Sequence, residues 1–427
     1  LLSPQELAAY MRALYNGWMA AGAEAKKRWV LYAAAIHGDA EMIVELHRQI
    51  KEWSEHSRGA VAAEAVRALA LNWSPQALLL VDQMARKFKS NQIKNAAKRA
   101  ISEAAASLGI SSAELEDRIV PDFGFNAQAE RAFDYGTRTF TVRLNPSLDM
   151  EIYDESDKKL KSMPKTAKQD DPVKADQAQA EYKQLKKQLK LVVASQKLRL
   201  EQALSTARFW QARQWRALFV QNPVMRQFAV GLIWGIYEDG LLKDTFRYME
   251  DGSFNTIEET EYTLPESCII GLVHPLELSE DALAAWTEQL SDYEITQPIE
   301  QLKRPVYRIA EEEKGEQKLM RFYGRELNGL TLSNRLLTQG WVRGEIMDAG
   351  FFDSYCRMDS EFGAKLMFSG CSVGYENEDV TIDDLYFYRI LGGTPRMAEP
   401  CRPEEVSARY LSETLLQIAR SVGEASA

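Results

Sequence analysis

A chain of 427 residues exceeds the reach of one ordinary hydrophobic core, so two or three folded units are expected. A make-up of 45% hydrophobic and 27% charged residues is globular and excludes the collagen-like, mucin-like and prion-like classes. The formal net charge of −10 repels a phosphate backbone on average, so binding of nucleic acid would require a local basic stripe.

The most apolar run, residues 228–237, is far shorter than the roughly 20 residues of a membrane-spanning helix, so no membrane span is expected. The opening Leu1-Leu2-Ser3-Pro4 lacks an initiator methionine and a signal peptide, which suggests a fragment of a longer protein. Cys268, Cys356, Cys371 and Cys401 are widely separated and form no CxxC pair, which argues against a zinc ribbon and a disulfide framework. Reduced thiols and a cytoplasmic location are the expectation, with no metal and no cofactor.

Residues 3–118 read as about seven short helices. Ser3-Pro4 and Ser74-Pro75 each place a serine cap before a proline at the first helical position, and Gly38-Asp39 and Gly109 interrupt the run. Ala62, Ala63, Val66, Leu69 and Ala70 recur at three-to-four spacing, as do Ile93, Ala96, Ala97, Ala100, Ile101, Ala104 and Leu108. Small residues on one stripe let helices stack closely, and the pattern resembles HEAT-type repeats. An ordinary helical bundle is the alternative.

Beyond Pro121, Phe140, Val142 and Leu144 alternate, Asn145-Pro146 turns the chain, and Leu148, Met150 and Ile152 alternate again, which predicts a β-hairpin or meander. Residues 158–176 mix lysine, aspartate and proline and read as a solvated linker, the best candidate for disorder. A long helix is expected over 181–220, with Leu185, Leu189, Val192, Val193, Leu200 and Leu204 on one face. Another helix is expected over 224–237. Strands follow at 244–249, 268–273, 306–310, 318–323, 364–369 and 384–390, and helices at 279–290, 331–339 and 403–422. The predicted class is α+β multidomain, with HEAT-like helices over 1–120, a β-meander and charged linker over 121–176, and a largely antiparallel α+β domain over 177–427.

The chain contains no GxxxxGK[ST], GxGxxG, HExxH or GxSxG motif, which removes the simplest nucleotide-binding, zincin and hydrolase routes. His37, His47 and His56 fall on the helical part and read as surface or capping residues. His274 ends a predicted buried strand just before a serine-capped helix, where a general base or a hydrogen-bonded structural histidine both fit. Residues 340–350 frame Trp341, Arg343 and Asp348 with glycines, a setting that presents Arg343 and Asp348 to a ligand or pairs them to brace a turn. The acidic run Glu376, Glu378, Asp379, Asp383 and Asp384 lacks the glycine and terminal glutamate of a calcium loop and reads as solvated.

Charge is unevenly spread. Lys183, Lys186, Lys187, Lys190, Lys197, Arg199, Arg208, Arg213 and Arg216 face one acid, Glu201, whereas no lysine or arginine lies between Arg247 and Lys303, where acids accumulate. The basic helix is therefore expected to dock on the acidic block, and a grip on nucleic acid is its alternative use.

The runs Arg208-Phe209-Trp210, Trp215-Arg216, Leu218-Phe219-Val220-Gln221-Asn222-Pro223 and Leu232-Ile233-Trp234-Gly235 resemble the MolR-type family of bacterial proteins. So do Phe246-Arg247, His274-Pro275-Leu276-Glu277-Leu278, Gln297-Pro298, Gln301-Leu302, Arg304-Pro305-Val306-Tyr307 and Gly340-Trp341-Val342-Arg343-Gly344. The resemblance covers roughly residues 120–420, and HEAT-like helices commonly precede that region. It implies a lineage linked by name to molybdate metabolism, built on a domain of unknown function. The WGR module of some relatives has no counterpart in this sequence.

Three functional expectations follow. The first is a non-enzymatic regulatory or scaffold protein that binds a protein partner through its helical repeats. The second is an enzyme whose site lies near His274, Arg343 and Asp348, with Trp341 and Arg247 as further binding residues. The third is nucleic-acid binding through Lys183, Lys186, Lys187, Lys190, Arg208 and Arg213.

Overall fold

The computed structural model describes residues 3–88, 90–359, 361–390 and 398–423. The chain divides into two compact units, residues 1–196 with 214–229, and residues 197–213 with 230–427.

The first unit opens with seven α-helices: α1 Pro4–Ala20, α2 Trp29–His37, α3 Ala40–Glu55, α4 Gly59–Ala70, α5 Pro75–Lys87, α6 Asn91–Ser107 and α7 Ser112–Arg118. Their starts follow the caps in the sequence. The Ser3 hydroxyl accepts the Glu6 N–H while the Glu6 carboxylate accepts the Ser3 N–H, and at α3, α5 and α7 the side chains of Asp39, Ser74 and Ser111 accept the N–H groups of Met42, Ala77 and Glu114. Gly38 is needed between α2 and α3 because a Cβ there would meet the Ala34 carbonyl at 2.3 Å. Consecutive helices pair, and α2 packs on α4 and α4 on α6, so these three form one layer while α3, α5 and α7 form the other. The alanine stripes make the close approach: Ala62, Ala65, Val66, Leu69, Ala97 and Ile101 are buried between the layers.

A four-stranded antiparallel meander follows, β1 Glu130–Asp134, β2 Thr139–Leu144, β3 Met150–Tyr153 and β4 Lys159–Leu160. The alternating residues face inward as expected, with Phe140, Val142, Leu144 and Ile152 buried. Residues 158–176 depart from the expectation of a disordered linker. They begin in β4, and Asp170 is buried against Arg138, whose Nε and Nη2 donate to its two carboxylate oxygens at 2.9 and 2.6 Å. Helix α8, Pro172–Ser205, starts within the same stretch. A charged segment is ordered here because its aspartate caps and pairs instead of facing water.

Helix α8 buries Leu185, Leu189, Val192, Leu200 and Leu204 and leaves Lys183, Lys186, Lys187 and Lys190 exposed. Its residues through Gln196 belong to the first unit and those from Lys197 to the second. The expected helix over 181–220 is too long. The chain turns at Ala207, in the left-handed region with φ 49°, enters strand β5, Phe209–Gln211, and then forms α9, Ala212–Trp215, and one π-helical turn over Arg216–Val220. The expected helix over 224–237 is likewise corrected, since α10 covers only Pro223–Val230 and strand β6 covers Ile233–Glu238.

In the second unit a five-stranded antiparallel sheet runs β5-β9-β6-β7-β8, completed by β7 Leu241–Tyr248, β8 Phe254–Asn255 and β9 Ile269–Leu272. Strand β6 is central and buried from Ile233 to Tyr237, which is why it shows no alternation. Helix α11, Glu280–Asp292, covers the sheet with Trp286, whose indole N–H donates to Thr245 Oγ1 at 3.1 Å. Gln301 is fully buried; it accepts the Ile233 N–H and donates to the Ile233 and Val273 carbonyls, closing the end of the sheet. Residues 306–310 are not the expected strand. They run extended beside the last helix, and the Tyr307 N–H donates to Ser412 Oγ at 2.9 Å.

A seven-stranded antiparallel sheet follows: β10 Lys318–Leu319, β11 Glu326–Asn328, β12 Val342–Arg343, β13 Phe351–Met358, β14 Phe362–Ser372, β15 Asp379–Ile390 and β16 Ala398–Cys401. Only 318–319 of the expected strand over 318–323 is extended pairing. Helices α12, Gly329–Thr338, and α13, Ala408–Val422, pack on each other. Tyr410, Leu411, Leu415, Ile418 and Ala419 of α13 join Phe362, Leu366, Phe368, Leu385 and Phe387 of the sheet in one core. The architecture is therefore α+β and multidomain, helical first and antiparallel after.

Candidate functional site

A group of buried ionisable residues in the second unit forms where α13 meets the end of β9. Beyond Leu272 the chain leaves the sheet at Val273 and turns through a short 3-10 helix, Pro275–Glu277, for which His274 is the cap. His274 Nδ1 accepts the Leu276 N–H at 3.1 Å, and the Glu277 carboxylate accepts the His274 N–H at 2.9 Å. The Nδ1 bond fixes the tautomer: the proton sits on Nε2, which donates to Glu413 Oε1 at 3.2 Å. His274 and Glu413 are both fully buried.

Glu413 is held from its other side by Arg304, whose Nε and Nη2 donate to the two carboxylate oxygens at 2.5 and 2.8 Å. Arg304 Nη1 also donates to Glu201 of α8 at 2.7 Å and to the Glu300 carbonyl at 2.9 Å. One turn earlier on α13, Arg409 donates to Glu277 and, at 3.2 Å, to the Tyr237 hydroxyl, which donates to Glu277 at 2.7 Å. Arg357 donates to Thr414 Oγ1 at 3.1 Å and lies 4.9 Å from the centre of the Tyr410 ring. Two guanidinium groups, Arg304 and Arg409, thus pair with three carboxylates, Glu201, Glu277 and Glu413, and Arg357 reaches the same helix through Thr414.

The pKa shifts of His274 and Glu413 follow from these surroundings. Burial pushes His274 below its ordinary value, and Arg409 and Arg304 reinforce the shift against the opposing pull of Glu413. Burial alone would raise Glu413, but its bonds to Arg304 and His274 outweigh it and hold the carboxylate well below the usual range. Both ring nitrogens of His274 are engaged and each carboxylate oxygen of Glu413 has a donor. The arrangement clamps α13 to the five-stranded sheet, and it offers neither a free base nor a free nucleophile.

The other sequence-predicted residues are placed apart from this cluster. Trp341 is buried and its indole N–H donates to Gln417 Oε1 at 2.7 Å, a structural bond one turn beyond Glu413 on α13. Arg343 does not pair with Asp348 to brace a turn; its Nη2 donates to Glu376 Oε1 at 2.6 Å and Ser333 Oγ at 3.1 Å, while Asp348 is exposed. Glu376 is thereby buried within an acidic run that was expected to be solvated, whereas Glu378 and Asp379 are exposed. His274, Arg343 and Asp348 share no hydrogen-bonding partner among these contacts. Arg247 is buried, donates to Gln289 Oε1 at 3.2 Å and lies 4.3 Å from the centre of the Tyr293 ring. On the basic helix and after it, Lys183, Lys186, Lys187, Lys190 and Arg213 are exposed, and Arg208 lies 4.9 Å from the Trp210 ring. Two of the acids expected to receive that helix are engaged by α13, Glu277 by Arg409 and Glu300 by Arg420.

Glu413 and Arg409 are not among the residues the sequence singles out, and Arg304 enters there only within the motif Arg304-Pro305-Val306-Tyr307. The signal for Arg409 and Glu413 is a stripe of Arg409, Glu413, Gln417 and Ser421 at four-residue spacing opposite the apolar Leu411, Leu415 and Ile418, a face that must find polar partners inside the protein.

No group of three or more metal-ligating side chains is placed to hold an ion among the described residues. Among them, no helix is long and apolar enough to cross a membrane. The sequence is 31% identical over 392 residues to the uncharacterized protein YehI of Escherichia coli (strain K12), an alignment that takes in 91% of this chain and 32% of YehI. The chain thus spans about a third of the length of the curated relative it matches. No solved structure matches it. Residues 158–341 match the family described as domain of unknown function DUF4132, a stretch that holds Glu201, His274, Glu277 and Arg304 and ends before the α13 residues that pair with them.

Proposed function

We propose that this protein is a non-enzymatic regulatory or scaffold protein that engages a protein partner through its helical repeats. One observation carries the reading. Asn72 Nδ2 donates to the Ala35 carbonyl at 2.6 Å, which sets the carboxy end of α4 beside that of α2, and there Ile36, Leu71 and Trp73 are all exposed. Stacked helices with apolar side chains along one edge suit the capture of another protein. The saturated bonding of His274 favours this reading over a reaction at that residue. Co-purification of the full chain from its own cells tests it: Trp73→Glu should remove the partner and leave the circular dichroism unchanged. Retention of the partner by Trp73→Glu, or its capture through the carboxy-terminal region alone, would overturn the proposal.

The exposed lysines of α8 support a second reading, nucleic-acid binding. Duplex DNA titrated at two salt concentrations separates the two, because phosphate contacts weaken steeply with salt. The MolR-type kinship, with its molybdate link, and the cytoplasmic location belong to the same proposal. The first rests on the motifs around His274 and Arg304, the second on four cysteines that are all free thiols. A strain lacking the gene that responds normally to molybdate limitation would remove the metabolic link.

A further inference from the structure

The loop between β12 and β13 closes on itself and is joined to the turn between β14 and β15 by a backbone hydrogen bond. The Met347 N–H donates to the Phe351 carbonyl at 2.8 Å, and the Val373 N–H donates to the Gly350 carbonyl at 2.9 Å. Phe351 pairs with Ser372 in the ladder, and its ring lies where a Cβ on Gly370 would stand. The result is a shared corner of the sheet on which Ile346, Met347, Phe351, Val373 and Tyr375 are all exposed, Ile346 by 55% and Tyr375 by 78%. Five large apolar side chains in one place form a patch of the kind that marks an interaction surface, whereas exposed ones scattered singly do not.

The charge on the two segments that carry this patch has one sign. Neither residues 344–356 nor residues 366–388 contain a lysine or arginine, and Glu345, Asp348, Glu378 and Asp379 are exposed at its margin. The neighbouring Arg343 is engaged by Glu376. An acidic rim repels phosphate backbones and anionic lipid headgroups, so neither nucleic acid nor an anionic membrane suits this face. An apolar centre within an acidic rim matches a helix with an apolar stripe flanked by lysines. We infer that this corner of the seven-stranded sheet is a docking surface for a basic amphipathic segment of a protein partner. The inference is independent of the helical-repeat reading, which concerns other residues.

The probe is a labelled synthetic peptide of leucines and lysines at helical spacing, titrated by fluorescence anisotropy into the full chain at fixed ionic strength. A serine–lysine peptide of equal charge and a leucine–glutamate peptide serve as comparisons. The leucine–lysine peptide should bind at least about tenfold more tightly than either. Its Kd should rise at least about tenfold in Tyr375→Ser, and again when Glu345 and Asp348 are both changed to lysine, while Trp73→Ser and Lys190→Glu leave it unchanged. Tyr375 is too exposed for its loss to unfold the sheet, and circular dichroism of each variant checks this. Equal binding of the two lysine peptides, or binding indifferent to Tyr375→Ser and to the charge reversal, would overturn the proposal. So would a dimer of the full chain, seen by sedimentation and lost in Tyr375→Ser, because the occupant would then be a second copy. Because Trp73→Ser tests only the helical repeats, the two readings fail separately.

Discussion

At the scale of single residues, His274 and Glu413 decide how stability responds to acid. The imidazole has an ordinary value of 6.5 and a lower one when folded, so the unfolded chain binds more protons as the pH drops. Its contribution is whole above about pH 6.5 and is lost as the pH falls toward the folded value. Glu413, with an ordinary value of 4.5 and a depressed folded one, acts in the same sense at lower pH, its contribution whole above 4.5 and lost below. His47 is also depressed, by burial and by Lys51 and Lys187, and contributes with the same sign. The urea midpoint should therefore fall between pH 7 and pH 5, and His274→Asn should flatten that slope, because asparagine keeps an acceptor for the Leu276 N–H but does not titrate. An unchanged slope would assign the acid response elsewhere. Glu413→Ala leaves Nε and Nη2 of Arg304 and Nε2 of His274 buried without their acceptor and should cost about 3–5 kcal/mol, measured by urea unfolding at pH 7.

At the scale of elements, the accuracy of the sequence reading depends on whether a boundary has a local chemical mark. Helices α1 to α7 were legible because Ser3-Pro4, Asp39, Ser74-Pro75 and Ser111 are caps with a fixed offset to the first turn. The end of α8 was not, since the reversal is made by Ala207 in a left-handed conformation within Ser205-Thr206-Ala207-Arg208, which holds neither glycine nor proline. Strand β6 was read as helix because a strand buried on both faces loses the alternation that would declare it. The candidate site was half legible: His274 stood out by its place after a strand, but its partner Glu413 lies 139 residues away, and no spacing rule reaches that far. For α8 the stripe and the charges make separable predictions. Leu189→Ala and Leu200→Ala should each cost about 2–5 kcal/mol, since both side chains are buried, whereas Lys186→Ala and Lys190→Ala should stay within about 0.5 kcal/mol. Urea unfolding of the four variants checks this, and equal small effects would mean that the leucine stripe contributes little to stability.

At the scale of the whole molecule, α13 is the element on which the second unit converges. One face gives Tyr410, Leu411, Leu415, Ile418 and Ala419 to the core of the seven-stranded sheet, and the opposite stripe gives Arg409 and Glu413 to the groups at the end of the five-stranded sheet. Removing α13 would expose the first face, leave His274 Nε2 without its acceptor, and take from Arg304 and Glu277 their bonds to Glu413 and Arg409. Burial of five such side chains is worth about 2 kcal/mol for each of the larger ones, a sum comparable to the roughly 5–15 kcal/mol that stabilises a whole domain. The lost ion pairs add to that deficit, since a buried charge without its partner is costly. A chain ending at Arg402 should therefore lose the cooperative structure of its second unit while the helical stack of the first, whose core contains no residue beyond Ile119, stays folded. Hydrogen exchange read by mass spectrometry would show this as protection kept in α2 to α6 and lost in β13 to β15. Protection surviving in β14 and β15 of the truncated chain would mean that the sheet holds without its helix, and that the clamp at Glu413 secures α13 without sustaining the unit.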